Sequence, residues 1–421
     1  MSNLAILPRR LTLESLGYDL LVNIFLRLAP GCKADLMSLM LINKTVHEAA
    51  EPAFFHKVEL NDIHNLTSFC SLLVQSPLRG TSIRHLVYKI HPDLVQEDEY
   101  PNHHVKNVGT HLATVLKQAE NLENLVLNEI EPLLLQSAEL QIALSDCKYL
   151  TSLEVETTDG LDDMVGLEHL GQALRSLYSP LRNLDIFVNR GEKFEQHILH
   201  YLLNFQSTLS ELHLDGLDVG RCTPLGQWLH LELLFIHRGY ACVDVLECAF
   251  PNIEQFWCHM DDFVIVDMPS EEYQANQAYT CTAWKHMEWI SSTAQGYAML
   301  NIKGVKVFSM TVASPPTMLD NAPDESIANA IEFLRPDTLD LDIRKKRQLS
   351  RVLCDASCIR WLKLIVHSEL RDFALGLHED NVDDLTYYLV CRKLCVHPDT
   401  LTVYLGSYLS LIHISEPTRP Y

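Results

Sequence analysis

The residues with most chemistry to offer are closely spaced cysteines, histidines and carboxylates. Cys354 and Cys358 stand four apart, as do Cys391 and Cys395, with His397 just beyond. Thiolate and imidazole are the usual ligands of structural zinc, but zinc-binding cysteine pairs commonly sit closer together. A spacing of four also places both thiols on one side of a helix, where cysteine behaves as a small apolar side chain. We read these residues as buried thiols and expect no metal. His103, His104 and His111 form a second candidate cluster, in a Pro/Asn-rich stretch read as a loop leading into a helix. Solvated loop histidines account for it without a ligand. Adjacent carboxylates occur at Asp162-Asp163, Asp261-Asp262 and Asp383-Asp384. Acid–base catalysis needs two carboxylates in different environments of one cleft, whereas side chains adjacent in sequence diverge. "RKKR" (344–347) offers a basic patch or an import signal, and equally a solvated turn after a strand, which is the reading taken. The chain has no Walker loop, no G-x-G-x-x-G and no G-x-S-x-G. It is therefore expected to be non-catalytic and to need no cofactor.

Something other than a catalytic centre must then explain a chain of 421 residues, 47% of them hydrophobic. That is material for a large core. The formal charge of −22 repels phosphate backbones and anionic lipid, so neither nucleic acid nor membrane is expected as a partner. No stretch reaches the length of a membrane span, and the first residues do not read as a secretory signal. The 12 cysteines are scattered through core-like segments, which suits a reducing compartment, cytoplasmic or nuclear. Asn43-Lys-Thr45 and Asn65-Leu-Thr67 match the glycosylation sequon but would not be used there.

The first organised element is "SLGYDLLVNIFLRLAP" (15–30). Leu20, Leu21, Ile24, Phe25 and Leu28 recur at helical spacing along one side. Asp19 suits the first turn, and Pro30-Gly31 stops the helix. Asp35 is expected to cap a second short helix, "LMSLMLI", and Asn43 a third, "KTVHEAAE", ending before Pro52. Three short helices cannot bury so much Leu, Ile and Phe among themselves, and the surplus marks an interaction surface.

Beyond this point a pattern L-x-x-L-x-L returns. It reads "LENLVL" (122–127), "LTSLEV" (150–155), "LRNLDI" (181–186), "LSELHL" (209–214), "LELLFI" (231–236) and "IEQFWC" (253–258). Fainter copies are "IRHLVY" (83–88), "WKHMEW" (284–289), "VKVFSM" (305–310), "TLDLDI" (338–343) and "IRWLKL" (359–364). Each predicts a short strand with alternate residues inward. Helices are expected between them at 108–120, 167–178 and 192–205. Such a repeat predicts an α/β solenoid, with a parallel sheet on the concave face and helices on the convex face. One unit cannot bury its apolar face alone, and stacking does so. Outward positions include Glu123, Asn124, Glu154, Asn183, Asp185, Glu211 and His213, acidic or amide for the most part, and open to a basic or polar partner segment. Trp257, Trp284, Trp289 and Trp361 lie in or near strands. They are read as core rather than as anchors for a ligand.

"LGYDLLVNIFLRL" (16–28) resembles the first helix of the F-box, whose usual pattern is Leu-Pro-x-Glu-Leu-Leu-x-x-Ile-Phe-x-x-Leu. "DLMSLMLINKTVHEAAEPAFFHKVEL" (35–60) resembles the rest of that motif and its link to the next domain. Gly17 stands at the usual Pro, Asp19 at the Glu, Asn43 at a frequent Cys and Val46 at a frequent aromatic. With the repeats, the chain resembles the divergent F-box/leucine-rich-repeat receptors of fungi. The resemblance implies a Skp-family adaptor, and through it a cullin, bound by Leu16, Gly17, Leu20, Leu21, Ile24, Leu28, Leu36, Leu39, Ile42 and Val46. It implies a protein substrate on the repeats, as the recognition subunit of a Skp–cullin–F-box ubiquitin ligase. The alternative is a repeat scaffold that delivers nothing for degradation. The expected organisation is a tail (1–12), an F-box-like motif (13–56), the repeats (57–408) and a final segment (409–421). Within that segment "LSLIHISEPTR" (409–419) resembles a translated sequencing-library adaptor. It is expected to be artefactual, with the natural end missing and no function in His413, Glu416 or Arg419.

Overall fold

The helical spacing of the opening segment does produce helices: α1 (Tyr18–Leu28), α2 (Lys33–Met40) and α3 (Lys44–Phe55). The computed structural model describes residues 13, 16–28, 32–89, 101–157, 167–188, 196–220, 222, 226–259, 270–313, 324–343, 358–366, 400–405 and 410–415. Asn43 caps α3, its side chain accepting from the Val46 N–H at 2.9 Å. Two expectations fail here. Asp35 is not the cap of α2, which begins earlier, after Cys32, and leaves Asp35 in the first turn facing the positive end of the helix. Nor does α3 stop before Pro52: it continues to Phe55. Proline lacks the N–H that would bond the Glu48 carbonyl. That carbonyl instead accepts the Tyr18 hydroxyl at 3.2 Å, so α1 supplies the missing donor.

The described residues fall into two compact units, the first running to Leu181 and the second starting at Arg182. In the first unit α1–α3 are followed by β1 (Lys57–Leu60), β2 (His85–Tyr88), β3 (Asn124–Asn128) and β4 (Ser152–Glu156), each parallel to the next. The fourth residue of each repeat lines up in register as Val58, Leu86, Leu125 and Leu153, all buried. Phe55-x-x-Val58-x-Leu60 is thus a repeat in its own right. The direct run of α3 into this strand makes the repeat look like a link.

Helices α4 (Ile63–Gln75), α5 (Pro101–Gln118), α6 (Ile130–Gln136), α7 (Ala138–Ser145) and α8 (Glu168–Ser176) return the chain between strands. His103 and His104 belong to α5, not to a loop before it, because Pro101 fits the first turn of a helix, where no N–H is needed. Glu131, only 4% exposed, accepts from the N–H groups of His169 at 3.0 Å and Leu170 at 2.7 Å, closing the start of α8.

The second unit holds β5 (Asn183–Phe187), β6 (Glu211–Asp215), β7 (Leu233–His237), β8 (Gln255–His259), β9 (His286–Thr293), β10 (Lys306–Ala313), β11 (Thr338–Ile343), β12 (Trp361–Val366) and β13 (Thr400–Leu405). These nine strands are parallel in sequence order, and β14 (Ser410–Ser415) pairs antiparallel with β13. The register runs Leu184, Leu212, Leu234, Phe256, Ile290, Met310, Leu339, Leu362, Leu401.

That line corrects the frame of three faint repeats. Ile290, not Met287, holds the fourth position of its repeat, and Leu339, not Leu341, holds it in β11. Phe308 is 57% exposed, while Val307, Met310 and Val312 face inward. The expected helix at 192–205 is seen only as one turn, Ile198–Tyr201, followed by a 3₁₀ turn, Leu203–Phe205. Ile198, Leu199, Tyr201, Leu202 and Phe205 are all buried there, a wider spread than one helical face provides.

Turns after strands repeat as well. Gly216 follows β6 with φ +76°, and a Cβ there would meet the Val188 carbonyl, so glycine is required. Glu247, 3% exposed, accepts from the Thr282 N–H and hydroxyl, the Ala283 N–H and the Tyr279 hydroxyl, and so ties two neighbouring coils together. The architecture is an α/β leucine-rich-repeat solenoid, strands on one side of each coil and helices or turns on the other. Among the described residues no helix is long and apolar enough to cross a membrane. Cys70, Cys147, Cys242, Cys258 and Cys281 are buried and form no disulfide.

Candidate interaction surfaces

Two surfaces present side chains that the fold does not need for its core. The first is on the opening helices. Leu21, Phe25, Leu36, Val46, Ala49, Ala50 and Ala53 form their core, with Leu16, Val22, Leu26, Leu39, Met40 and Phe54 packed around it. The ten residues expected to meet an adaptor therefore separate. Leu21, Leu36 and Val46 are 0–1% exposed and are corrected to internal residues, because α1, α2 and α3 close over them. Leu16 and Leu39 are half-buried, and Gly17 is exposed with nothing within 4 Å of where a Cβ would sit. Leu20, Ile24 and Leu28 are 50%, 37% and 38% exposed, one stripe at i, i+4 and i+8 along α1. Ile42 is exposed too, next to Leu41 at 86%, and Met37 lies one turn earlier at 57%. Sequence reading missed Met37 and Leu41, which the α2 spacing alone would have placed together.

The second surface is the outward side of the second unit's strands. Three rows run across it in register. Asp185, His213, Phe235, Trp257 and Ser291 make the central row. Asp215, His237 and His259 flank it on one side, and Glu211, Leu233, Gln255 and Trp289 on the other. Phe235 lies 5.3 Å from His213, 5.7 Å from Trp257 and 6.1 Å from His259 between ring centroids. Trp257 and Trp289 meet edge to face at 4.0 Å. Trp289 donates its indole N–H to the Thr311 hydroxyl at 3.0 Å, whereas the Trp257 Nε1 is shut off from solvent without a partner.

Electrostatics divide the histidines. His213 Nδ1 stands 2.8 Å from Asp185, and that hydrogen bond raises its pKa above the ordinary value against the opposing effect of burial. His259 is pushed down to about 4, first by burial and then by His237 nearby, and contacts the Ser291 hydroxyl at 3.0 Å. Asp215 is held below the usual carboxylate range: burial opposes this, and hydrogen bonds from His237 at 3.1 Å and Arg238 at 2.5 Å outweigh it.

Of the outward residues expected, Asn183, Asp185, Glu211 and His213 lie on this face; Asn124 and Glu154 lie on the strands of the first unit, and Glu123 just before β3. Glu123 pairs with Arg84 at 3.6 Å. Trp284 is core, 1% exposed, donating to the Phe250 carbonyl at 2.7 Å. Trp257 and Trp289 are corrected to the outward face, and Trp361 is 50% exposed. The signal was present: Phe235 and Trp257 occupy the fifth position of "LELLFI" and "IEQFWC", which alternation turns outward.

Among the described residues no group of histidine, cysteine and carboxylate side chains is arranged to hold a metal. Cys354, Cys391, Cys395, His397, the three Asp pairs and "RKKR" lie outside the described residues. Cys358 is half-buried, with its thiol pushed up by burial. His111 lies in α5, its Nδ1 buried without a partner.

No protein-family model matches the chain, and no curated protein matches it. Among solved structures it is similar to the Rad7 and Elc1 complex of yeast, at 12% identity over 95% of this chain and 96% of that one, with a TM-score of 0.33. It is also similar to the leucine-rich-repeat-containing protein LegL7 of Legionella pneumophila, at 12% identity over 87% and 95%, with a TM-score of 0.35. Likeness at that level assigns no function.

Proposed function

We propose that the chain is a non-catalytic substrate-recognition subunit of a Skp–cullin–F-box ubiquitin ligase, acting in the cytoplasm or nucleus. One observation carries this reading: the opening helices fill their own core and still leave Leu20, Ile24 and Leu28 as an unused apolar stripe. A stripe of that kind, on a segment with the F-box spacing, suits an adaptor helix. The repeats then hold a protein target, and the contribution to catalysis is proximity, which raises the effective concentration of target lysines at the transfer machinery.

The test is co-expression of the full chain with a Skp-family adaptor, beside a Leu20→Asp, Ile24→Asp variant. Both side chains are exposed, so the variant keeps its melting curve. The parent is expected to capture the adaptor and the variant to lose it. A parent that captures nothing overturns the reading. Capture without any target turnover leaves a scaffold that binds the adaptor and delivers nothing.

A further inference from the structure

We infer that the outward face of β6–β9 is a docking surface for an arginine-bearing segment of a protein partner. The inference rests on the reading of the repeats as the target-binding part, and names the chemistry they select.

The argument starts from what the face lacks. Glu232, Glu254 and Glu288 each immediately precede an outward strand residue: Leu233, Gln255 and Trp289. Backbone hydrogen bonds stack them, the Glu254 N–H donating to the Glu232 carbonyl at 2.9 Å and the Glu288 N–H to the Glu254 carbonyl at 2.8 Å. Adjacent strands lie about 4.8 Å apart, so the three carboxylates repeat at that interval along one rim. Glu211 stands at the first position of β6 on the same face. All four are exposed; Glu211 is partly compensated by His213, whose pKa it helps to raise, whereas Glu232, Glu254 and Glu288 have no cation within ion-pair distance among the described residues. Like charges at such spacing repel, and the fold leaves them uncompensated. Arg238 is already held by Asp215.

Trp289 directly follows Glu288, and Phe235 and Trp257 lie three residues along their strands from Glu232 and Glu254, about 10 Å and within the span of a short bound segment. Aromatic faces next to uncompensated carboxylates match one side chain best. The arginine guanidinium stacks on an aromatic ring and forks its donors to a carboxylate, whereas an ammonium does only the first well. A phosphate backbone would be repelled by the same rim.

The full chain is tested against a labelled short peptide alternating arginine and serine, by fluorescence anisotropy at physiological salt. Glu232→Gln, Glu254→Gln, Glu288→Gln is expected to weaken binding about tenfold, as is Phe235→Ser, Trp257→Ser. The glutamates are exposed, so the first variant reports binding even where the second fails to fold. A control removes the same charge elsewhere, with Asp35→Asn, Glu120→Gln, Glu139→Gln, and is expected to stay within about twofold. Equal weakening by the control, or none by the glutamate variant, overturns the inference, since attraction to net charge would then suffice. Adaptor capture is scored on the same preparations. Peptide binding without adaptor capture keeps this surface and removes the ligase reading, and adaptor capture without peptide binding does the reverse.

Discussion

The outward faces of the two units share one backbone geometry and carry different chemistry. On β1–β4 the outward residues include Glu59, His85, Val87, Val126 and Glu154, with no phenylalanine or tryptophan among them. On β5–β9 they are rings and their partners: His213, Phe235, Trp257, His259, Trp289. Inward, the two units are alike, with Leu125 and Leu153 in one answered by Leu184 and Leu212 in the other. Stacking constrains the inward half of every strand, because each coil must bury its neighbour's apolar face. The outward half is free to differ, and there the second unit has placed its large rings, in one contiguous run across β7–β9 with Phe308 and Trp361 exposed farther along. Aromatic pairs contribute about 0.5–1.5 kcal/mol beyond area burial, a bonus the first unit folds without on its strand face.

The sharpest break of this comparison is an inward charge. Leu212 and Leu86 are both 0% exposed. Leu212→Asp and Leu86→Asp should each destabilise their own unit by roughly 4 kcal/mol or more, with lost transfer energy and a buried unpaired charge acting together. Val126→Asp, one residue from the inward Leu125, should cost only about 1 kcal/mol, because it points outward and meets Glu154 across the sheet rather than the core. Limited proteolysis and thermal melting measure all three. An unchanged cleavage pattern in Leu212→Asp would contradict the coil stacking.

How much of this was legible beforehand follows from the same asymmetry. The inward frame of six repeats could be read because leucine at positions one, four and six has a single physical cause. It failed where another apolar residue offered a competing frame, as at Phe308 beside Val307 and Met310. It failed at Val58, where a helix ends directly in a strand. On the opening helices, spacing placed the apolar side correctly but could not divide Leu20 from Leu21. That division depends on where α3 packs. The aromatic face is hard to see in the sequence because tryptophan is so often buried, although alternation turns Trp257 outward. Glu131 and Glu247 carry no sequence signal at all, since their hydrogen-bond partners lie more than thirty residues away.

Acid should separate the units next. His259 titrates at about 4 in the folded chain, against about 6.5 when unfolded. Between those values the unfolded state binds the extra proton, so stability falls as pH drops from 6.5 toward 4. The loss in the second unit should be roughly 2–3 kcal/mol, and His259→Gln should remove much of it. Denaturant melts at pH 7 and pH 4.5 give the comparison, and an equal acid loss in the variant would refute the assignment.

In the first unit the corresponding weak point is Glu131. Glu131→Ala leaves the N–H groups of His169 and Leu170 without their acceptor at the start of α8. The cost should be about 2 kcal/mol. Hydrogen exchange is expected to speed up at those two amides before any change appears on β5–β9. Faster exchange throughout the second unit would mean that Glu131 supports more than its own helix.

The smallest effect is the most specific to the ringed face. Asp185 raises the pKa of His213, so their pair stabilises the second unit fully below the ordinary histidine value and loses that contribution as pH rises through the raised one. The sign is opposite to that of His259, which costs stability in acid. Taken by themselves the two histidines favour a pH near or just above 6.5, with His259 losing stability below it and His213 above it. Both partners of the pair are partly exposed, at 33% and 25%, so solvent screening limits the gain to about 0.5 kcal/mol. His213→Asn should flatten the alkaline side of the stability profile and leave the acid side unchanged. A variant that lost the acid side instead would show that His213, not His259, is the histidine kept neutral by the fold.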